Sequence, residues 1–246
     1  MTGSQSQSID FAAAAERGIP VCRTTTQVSH ATAEHAWGLI IGCMRSIPQE
    51  AEHMRRGGWQ STVGTSLHGK TLGLLGLGSL GTVVAGYANA FGMRVFAWSH
   101  NLDDARAAAA GATRVGKEDL LRQSDVVSIH LKLSARTRGL IGAAEFALMK
   151  PSAIFVNTSR GPIVDEAALV AALERRQIRA AALDVFDREP LPPDHVLRRI
   201  DNAILTPHLG YVTEETLRNF YEGVVEDIEA WRAGTPIRLY GGFNTN

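Results

Sequence analysis

Residues 71–81 read Thr-Leu-Gly-Leu-Leu-Gly-Leu-Gly-Ser-Leu-Gly, an apolar run that passes directly into a glycine-rich turn. In the G-x-G-x-x-G pattern the first glycine allows a tight turn, the second lets the backbone approach a pyrophosphate, and the third lets the helix pack on the strand. Unpaired N–H groups at the positive end of the helix dipole bind the pyrophosphate. The residues predicted to form this dinucleotide-binding turn are Gly76, Gly78, Ser79, Leu80 and Gly81. Strand, turn, helix and second strand follow in the order that the motif requires.

Apolar runs alternate with helical patterns from about residue 71 onward. The runs are rich in Val, Ile, Leu and Ala on both faces, which is typical of a parallel sheet covered by helices on each side. The predicted strands are 71–75, 94–98, 126–130, 153–157 and 180–185, and the predicted helices are 80–91, 102–109, 117–124, 143–149 and 166–175. The fold class predicted is α/β, a doubly wound parallel sheet of the Rossmann type.

The two ends of the chain do not continue this alternation. The patterns there predict a helix over 9–17, a strand over 20–24, a helix over 32–46 and a polar arm or linker over 50–70. Thr213 can cap a further helix, whose first turn carries Glu214 and Glu215 at the positive end of the helix dipole. That helix is predicted to run to about Trp231, before the break at Gly234-Thr-Pro.

The 246-residue chain contains 25 Lys and Arg against 25 Asp and Glu, so its formal net charge is zero. This balance gives no indication of nucleic acid or of an anionic membrane as a partner. Residues 1–8 are polar and uncharged and do not resemble a secretory leader. Cys22 and Cys43 form neither a disulfide framework nor a metal-binding spacing. These features predict a cytoplasmic protein with no metal site.

The end of the second strand bears on the choice of cofactor. An acidic residue at this point usually binds the adenosine ribose of NAD, whereas a nearby arginine favours NADP. This strand ends in Trp98-Ser-His-Asn101, so Ser99 and His100 stand where the ribose is expected. Asp103, Asp104 and Arg106 lie a turn further on and are predicted to be helix surface. The sequence therefore leaves NAD and NADP as alternatives.

Titratable residues follow the later strands, at the edge where α/β sheets bind their ligands. Arg160, Glu189 and His208 each come shortly after such a strand. Reduction of a 2-oxo acid needs a cation for the carboxylate and an acid for the developing alkoxide, and Arg and His suit these tasks. Taken singly, Arg160 could cap strand-end carbonyls, Glu189 could be a turn residue, and His208 could be structural. Taken together, they favour an active site.

Several stretches resemble the D-isomer-specific 2-hydroxyacid dehydrogenase family, which includes D-phosphoglycerate dehydrogenase, glyoxylate/hydroxypyruvate reductase and formate dehydrogenase. They are Gly69-Lys-Thr-Leu-Gly-Leu-Leu-Gly-Leu-Gly78, Asp125-Val-Val-Ser-Ile-His-Leu131, Thr137-Arg-Gly-Leu-Ile141, Val156-Asn-Thr-Ser-Arg-Gly-Pro-Ile-Val-Asp165, Ala182-Leu-Asp-Val-Phe186 and Thr206-Pro-His-Leu-Gly210. They run in the family's order, and the resemblance covers about residues 9–235. It implies an NAD(P)-dependent oxidoreductase that transfers a hydride between the nicotinamide and a D-2-hydroxy acid or 2-oxo acid.

The resemblance also implies roles for individual residues. Arg160 would bind the substrate carboxylate, and Glu189 and His208 would be the paired glutamate and general acid/base histidine. Asp184 would meet the nicotinamide carboxamide. Further cofactor contacts are implied for Leu131, Thr137, Thr158, His208 and Gly210, and a substrate-facing loop for Gly3 and Ser4. The chain departs from the family at Ser99 in place of an aspartate, Lys132 in place of a proline and Tyr211 in place of a glycine.

The resemblance predicts that the chain divides into three segments of unequal length. Residues 1–30 match the last part of a smaller substrate domain, 31–211 the dinucleotide-binding domain, and 212–246 a helix and tail returning towards the substrate domain. Roughly the first hundred residues of a typical member have no counterpart, judging by the normal size of such a lobe. We therefore hypothesise that this polypeptide binds cofactor but turns over poorly. The resemblance also implies a homodimer built through the cofactor domain, helix 32–46 and the arm 50–70.

Two other functional classes remain as alternatives. One is an NAD-responsive interaction protein similar to the family's transcriptional corepressors, which keep the same Arg, Glu and His. The other is a cofactor-binding protein with weak or no activity. A methyltransferase with the same glycine turn would not explain Arg160, Glu189 and His208 together.

Overall fold

A seven-stranded parallel sheet in the order β3-β2-β1-β4-β5-β6-β7 forms the centre of the larger part of the molecule. The computed structural model describes residues 9–24 and 30–240. The strands are β1 Thr71–Leu75, β2 Arg94–Trp98, β3 Thr113–Arg114, β4 Val126–Ile129, β5 Ile154–Asn157, β6 Ala180–Leu183 and β7 Ala203–Leu205. Because all neighbours are parallel, their carboxyl ends lie at one edge of the sheet. The predicted α/β fold class is confirmed.

Helices connect the strands and precede and follow the sheet in the chain. They are α1 Phe11–Glu16, α2 His30–Arg45, α3 Ile47–Arg55, α4 Ser79–Ala90, α5 Asp104–Ala109, α6 Lys117–Gln123, α7 Ala143–Leu148, α8 Glu166–Glu174 and α9 Glu214–Arg232. Strands β1 and β2 begin and end as predicted, and the other predicted elements that form differ by at most two residues at either end. The side chain of Thr213 caps α9 as predicted, accepting the N–H of Thr216 at 3.2 Å.

Two buried clusters cover the two faces of the sheet. Side chains alternate along each strand, so Leu72 and Leu74 pack with α2 and α4 on one face. On the other face, Leu75 and Phe155 pack with α6, α7 and α8. Burial on both faces explains why these strands are almost entirely apolar. The sheet is thus a rigid support for the loops at its carboxyl edge.

Two predictions outside the sheet were wrong. Residues 20–24 form no strand, and only an isolated bridge between Cys22 and Leu239 is present there. The predicted linker over 50–70 begins instead with the end of α3, which has Pro48 in its first turn. None of the residues of α3 is buried, but Ile47, Ala51 and Met54 recur at helical spacing on one face, a pattern that could have indicated the helix.

The chain divides into two compact units. The larger one is Thr32–Gly210, and the smaller one contains the described residues 9–24, 30–31 and 211–240. In the smaller unit, Arg238 pairs with Glu226 and Asp227 on α9 at 2.7 and 2.9 Å. Over the residues described, no helix has both the length and the apolar character needed to cross a bilayer.

Candidate active site

The glycine turn after β1 has the backbone geometry that a bound pyrophosphate requires. Gly76 has φ of 105°, and a Cβ there would lie 2.6 Å from the His130 carbonyl oxygen. A Cβ on Gly81 would overlap the carbonyl oxygen of Gly76. Gly78, by contrast, faces open space, with nothing within 4 Å of its Cβ position. Glycine is therefore needed twice for packing, while the open side at Gly78 fits an approaching phosphate.

Two further features fit a dinucleotide at this edge. Ser79 and Leu80 begin α4, so the unpaired N–H groups of its first turn face the same opening. Thr158, just beyond β5, has a buried hydroxyl with no hydrogen-bond partner among the described residues. A buried polar atom without a partner is unfavourable, so a ligand contact would satisfy it. The residues present thus fit the cofactor that the glycine turn predicts.

The end of β2 carries no carboxylate directed at the expected ribose site. Ser99 replaces the acid, and the rings of Trp98 and His100 lie 4.9 Å apart. Asp103 caps α5 by accepting the Arg106 N–H at 2.8 Å, and Asp104 pairs with Arg114 at 2.7 Å. The prediction that Asp103, Asp104 and Arg106 form helix surface is confirmed.

The shortest contact among the predicted catalytic residues joins His208 and Glu189. Nδ1 of His208 lies 2.6 Å from Oε2 of Glu189. Because a carboxylate only accepts hydrogen bonds, Nδ1 carries the proton, which leaves Nε2 as the nitrogen that can exchange a proton. The other carboxylate oxygen accepts the Phe186 N–H at 3.0 Å, which fixes the Glu189 side chain. This geometry can support general acid/base chemistry.

Arg160 lies in the loop after β5, directly before Gly161, whose backbone packs against the segment that leads to Glu189. Its Nη1 donates to the Ser159 carbonyl oxygen at 2.6 Å. The next residue, Gly161, has no space for a Cβ because the backbone of Phe186 lies against it. The local contact uses one of five guanidinium N–H groups, so a bidentate carboxylate contact is compatible with it.

Asp184 follows β6 and organises the backbone just beyond His208. Its carboxylate accepts the N–H groups of Leu209 and Gly210 at 2.8 and 2.9 Å, and the Thr206 hydroxyl at 2.6 Å. Burial alone would raise the pKa of Asp184, but the hydrogen bonds outweigh it and hold the pKa below its usual value. His208 itself has φ of 57°, a left-handed conformation that costs on the order of 1 kcal/mol or more. The two N–H contacts to Asp184 stabilise that backbone.

Other predicted site residues have more varied surroundings. The Thr137 hydroxyl donates to the Lys132 carbonyl oxygen at 2.7 Å and accepts the Ser134 N–H at 2.8 Å, so it orders its own turn. Leu131 is half-buried beyond the end of β4. Gly3 and Ser4 lie outside the described residues. The contacts of Leu131, Thr137 and Asp184 with a cofactor stay predictions.

One residue of this edge was missed from the sequence. His35, on α2, places Nε2 at 3.1 Å from Oδ1 of Asp184 and 3.1 Å from Oγ1 of Thr206. No motif or periodicity indicates it, because it is a polar position on an amphipathic helix and its partner Asp184 is 149 residues away in the chain.

The doubly wound sheet has a glycine turn after β1, and an arginine and a histidine–glutamate pair lie at neighbouring strand ends. These are the features of a dinucleotide-dependent oxidoreductase. Residues 37–210 match the family described as D-isomer specific 2-hydroxyacid dehydrogenase, NAD binding domain. The chain is 42% identical over 236 residues to a glyoxylate reductase of Aeropyrum pernix, and the aligned region covers 92% of this chain and 70% of that protein. It is 40% identical over 233 residues to a D-3-phosphoglycerate dehydrogenase of Archaeoglobus fulgidus, and the aligned region covers 94% of this chain and 44% of that protein. The chain belongs to the D-isomer specific 2-hydroxyacid dehydrogenase family, and the predicted class of NAD(P)-dependent oxidoreductase is confirmed.

Solved structures agree with this assignment. A phosphoglycerate oxidoreductase from Vibrio cholerae aligns with a TM-score of 0.90 at 31% identity, covering 94% of this chain and 75% of that chain. A D-lactate dehydrogenase from Lactobacillus jensenii solved with NAD+ aligns with a TM-score of 0.81 at 29% identity, covering 97% and 76%. An acyclic imino acid reductase solved with NADPH and D-Arg aligns with a TM-score of 0.80 at 29% identity, covering 96% and 76%. The chain therefore spans about three quarters of these proteins, but under half of the D-3-phosphoglycerate dehydrogenase from Archaeoglobus.

Proposed function

We propose that the protein reduces a small 2-oxo acid to a D-2-hydroxy acid, or catalyses the reverse reaction, with NAD or NADP as cofactor. The observation that carries the proposal is the 2.6 Å contact between His208 and Glu189, at the same sheet edge as the glycine turn. The glyoxylate reductase relative supports a small substrate. No relative reported above is named as a corepressor, so the comparisons give that alternative no support.

Each residue has a defined task in this proposal. When bound, the nicotinamide would supply or accept the hydride. His208 transfers the proton to or from the substrate oxygen through Nε2, while Glu189 keeps Nδ1 protonated and the ring oriented. Arg160 binds the substrate carboxylate through its guanidinium. The first turn of α4 would hold the pyrophosphate, at the same sheet edge as the loops after β5, β6 and β7.

The domain assignment is part of the proposal. Residues 31–211 form the cofactor domain, whereas 1–30 and 212–246 belong to the substrate side. The two ends of the chain meet within the smaller unit, where the Arg23 N–H donates to the Arg238 carbonyl oxygen at 3.0 Å and the Tyr240 N–H to the Val21 carbonyl oxygen at 2.7 Å. This pairing supports one substrate-side unit made from both ends.

A homodimer is also proposed, formed through α2, α3 and the arm that follows. Exposed apolar side chains support it: Trp59 is 76% exposed and Val63 is 88% exposed. An apolar groove on the surface of α2 and α3 is lined by Ile41, Ile47 and Met54. Apolar surface of this kind often marks an interface.

Light scattering during size-exclusion chromatography should show twice the chain mass, and Trp59→Ser should weaken the dimer while Trp231→Ser leaves it intact. A monomer at all concentrations would contradict this part.

A cytoplasmic location completes the proposal. It is supported by Cys22 and Cys43, which both remain thiols, as is usual in a reducing compartment. Cell fractionation should recover the protein with cytoplasmic markers, and recovery with the secreted fraction would contradict it.

The proposed activity is tested by following NADH and NADPH oxidation with glyoxylate, hydroxypyruvate and bulkier 2-oxo acids. His208→Ala should lower kcat by roughly 100- to 10,000-fold because the proton donor is lost. Arg160→Ala should lower kcat/KM by roughly 100-fold, mainly through KM, because the carboxylate loses charged hydrogen bonds. Arg175→Ala, at an exposed position after α8, is the matched control and should be unchanged. Wild-type turnover in both active-site variants would contradict the proposal.

A further inference from the structure

His35 connects the first turns of α2 to the loop that carries His208. Its Nε2 lies 3.1 Å from Asp184 Oδ1 and 3.1 Å from Thr206 Oγ1. The Thr206 hydroxyl gives its own proton to Asp184 at 2.6 Å, and a carboxylate can only accept. Nε2 of His35 must therefore carry the proton and donate it to this pair. One carboxylate oxygen thus receives two side-chain donors from different parts of the chain.

The same carboxylate determines the backbone after His208. Asp184 accepts the N–H groups of Leu209 and Gly210, the two residues that directly follow the left-handed turn at His208. The Asp184 side chain is only 1% exposed, so water cannot replace a missing donor freely. The orientation of this carboxylate therefore decides where the His208 backbone lies.

Close packing at Gly210 reinforces the connection. A Cβ on Gly210 would lie 3.3 Å from Asp184 Oδ2 and 3.2 Å from the Thr32 methyl group. Thr32 and His35 are three residues apart, so they share one face of α2. That face contacts the loop at two points, one by packing and one by a hydrogen bond.

We propose that His35 is a positioning residue for the acid/base histidine. Its N–H fixes the Asp184 carboxylate, Asp184 fixes the peptide planes of Leu209 and Gly210, and these aim the His208 ring at Glu189. His35 itself need not touch substrate or cofactor. The inference rests on the proposed function for its effect on turnover, but not for its effect on the loop.

The test compares His35→Ala with His35→Gln. The amide nitrogen of Gln can place an N–H near the position of Nε2, whereas Ala has no donor. Hydrogen exchange should accelerate roughly tenfold at the Leu209 and Gly210 amides in His35→Ala, because they lose part of the support of a buried acceptor. Exchange at Ile129, inside β4, should be unchanged. His35→Gln should stay within about threefold of wild type at all these amides.

Turnover is the second measurement. His35→Ala should lower kcat by roughly tenfold with a small 2-oxo acid, while the Kd for NADH stays within about twofold. His35→Gln should recover most of kcat. His68→Ala is the matched control, since His68 is exposed just before β1, at the opposite edge of the sheet, and both measurements should be unchanged.

The outcomes separate the two proposals. Unchanged exchange at Leu209 and Gly210 in His35→Ala would overturn the positioning role, and so would equal damage in His35→Gln, which would indicate packing alone. Absence of wild-type turnover would overturn the proposed function, while the exchange data would still decide the role of His35. If His35→Ala does not fold, Thr206→Val removes the other side-chain donor to Asp184 and should produce the same local acceleration. Wild-type exchange in Thr206→Val would then overturn the proposal.

Discussion

The glycine turn and the His208–Glu189 pair lie at the same edge of one sheet, but the sequence specifies them in different ways. The turn is contained in residues 71–81, and its requirements are those of the backbone. The pair joins residues 19 positions apart and depends on Asp184, whose partner His35 is 149 positions away. Damage to the turn should therefore weaken cofactor binding, whereas damage to the pair should slow turnover and leave binding intact.

The largest effect should come from the pair. Glu189→Gln keeps the size of the side chain but removes the charged acceptor that orients the His208 ring, so kcat should fall by roughly 100-fold while the Kd for NADH changes little. Glu174→Gln, at the exposed end of α8, is the matched control. Loss of NADH affinity in Glu189→Gln would mean that the two regions are not separable.

The turn should respond in the opposite way. A Cβ on Gly81 overlaps the Gly76 carbonyl oxygen, so Gly81→Ala must shift the turn and should weaken NADH binding by roughly 10- to 100-fold. Gly86, in the middle of α4, has nothing within 4 Å of its Cβ position. Gly86→Ala should leave NADH binding unchanged and raise the free energy of unfolding by about 1 kcal/mol. Fluorescence titration measures the NADH affinity, and denaturant unfolding measures the free energy of unfolding. Equal NADH affinity in the two variants would contradict the account of the turn.

His130, beneath the turn, should make stability depend on pH. Burial lowers the pKa of His130 to about 4 from its usual 6.5. As the pH falls, the unfolded state therefore binds this proton before the folded state does. The free energy of unfolding is not reduced by His130 above pH 6.5, and it decreases as the pH falls from 6.5 towards 4. Between pH 7 and 5 the free energy of unfolding should fall by roughly 2 kcal/mol more in wild type than in His130→Gln, which cannot titrate. Parallel pH curves for the two proteins would refute this assignment.

The smallest effect should be at the ribose end. Ser99→Asp introduces the carboxylate that the chain lacks there, which repels a 2′-phosphate and can accept from a ribose hydroxyl. The ratio of NADPH to NADH affinity should fall by about tenfold, corresponding to one charge-assisted contact. Competitive titration of the two cofactors measures it, and an unchanged ratio would place the ribose elsewhere.

The fold could be predicted where burial dictates the sequence. Strands β1 and β2 are short apolar runs between turn residues, so even their ends were predicted. The two-residue β3 and the three-residue β7 are too short for a pattern, and α3 has no buried residue. The strand expected over 20–24 was wrong because a short apolar run does not determine whether a partner strand is present.

The candidate site could be predicted only in part. Arg160, Glu189 and His208 stand at strand ends, which the alternation of elements places at one edge, so their proximity could be expected. The Phe186 N–H on Glu189 and the four donors on Asp184 could not, because hydrogen bonds between distant residues have no periodic signal. His35 was missed for the same reason.

The most direct test of the central claim measures binding and turnover together in His208→Ala. NADH is titrated by fluorescence into wild type and variant, and glyoxylate is then added at saturating NADH while NADH absorbance is followed. The account predicts equal NADH affinity in both proteins, with NADH oxidation roughly 100- to 10,000-fold slower in the variant than in wild type. Oxidation by the variant at the wild-type rate, or loss of its NADH affinity, would contradict it.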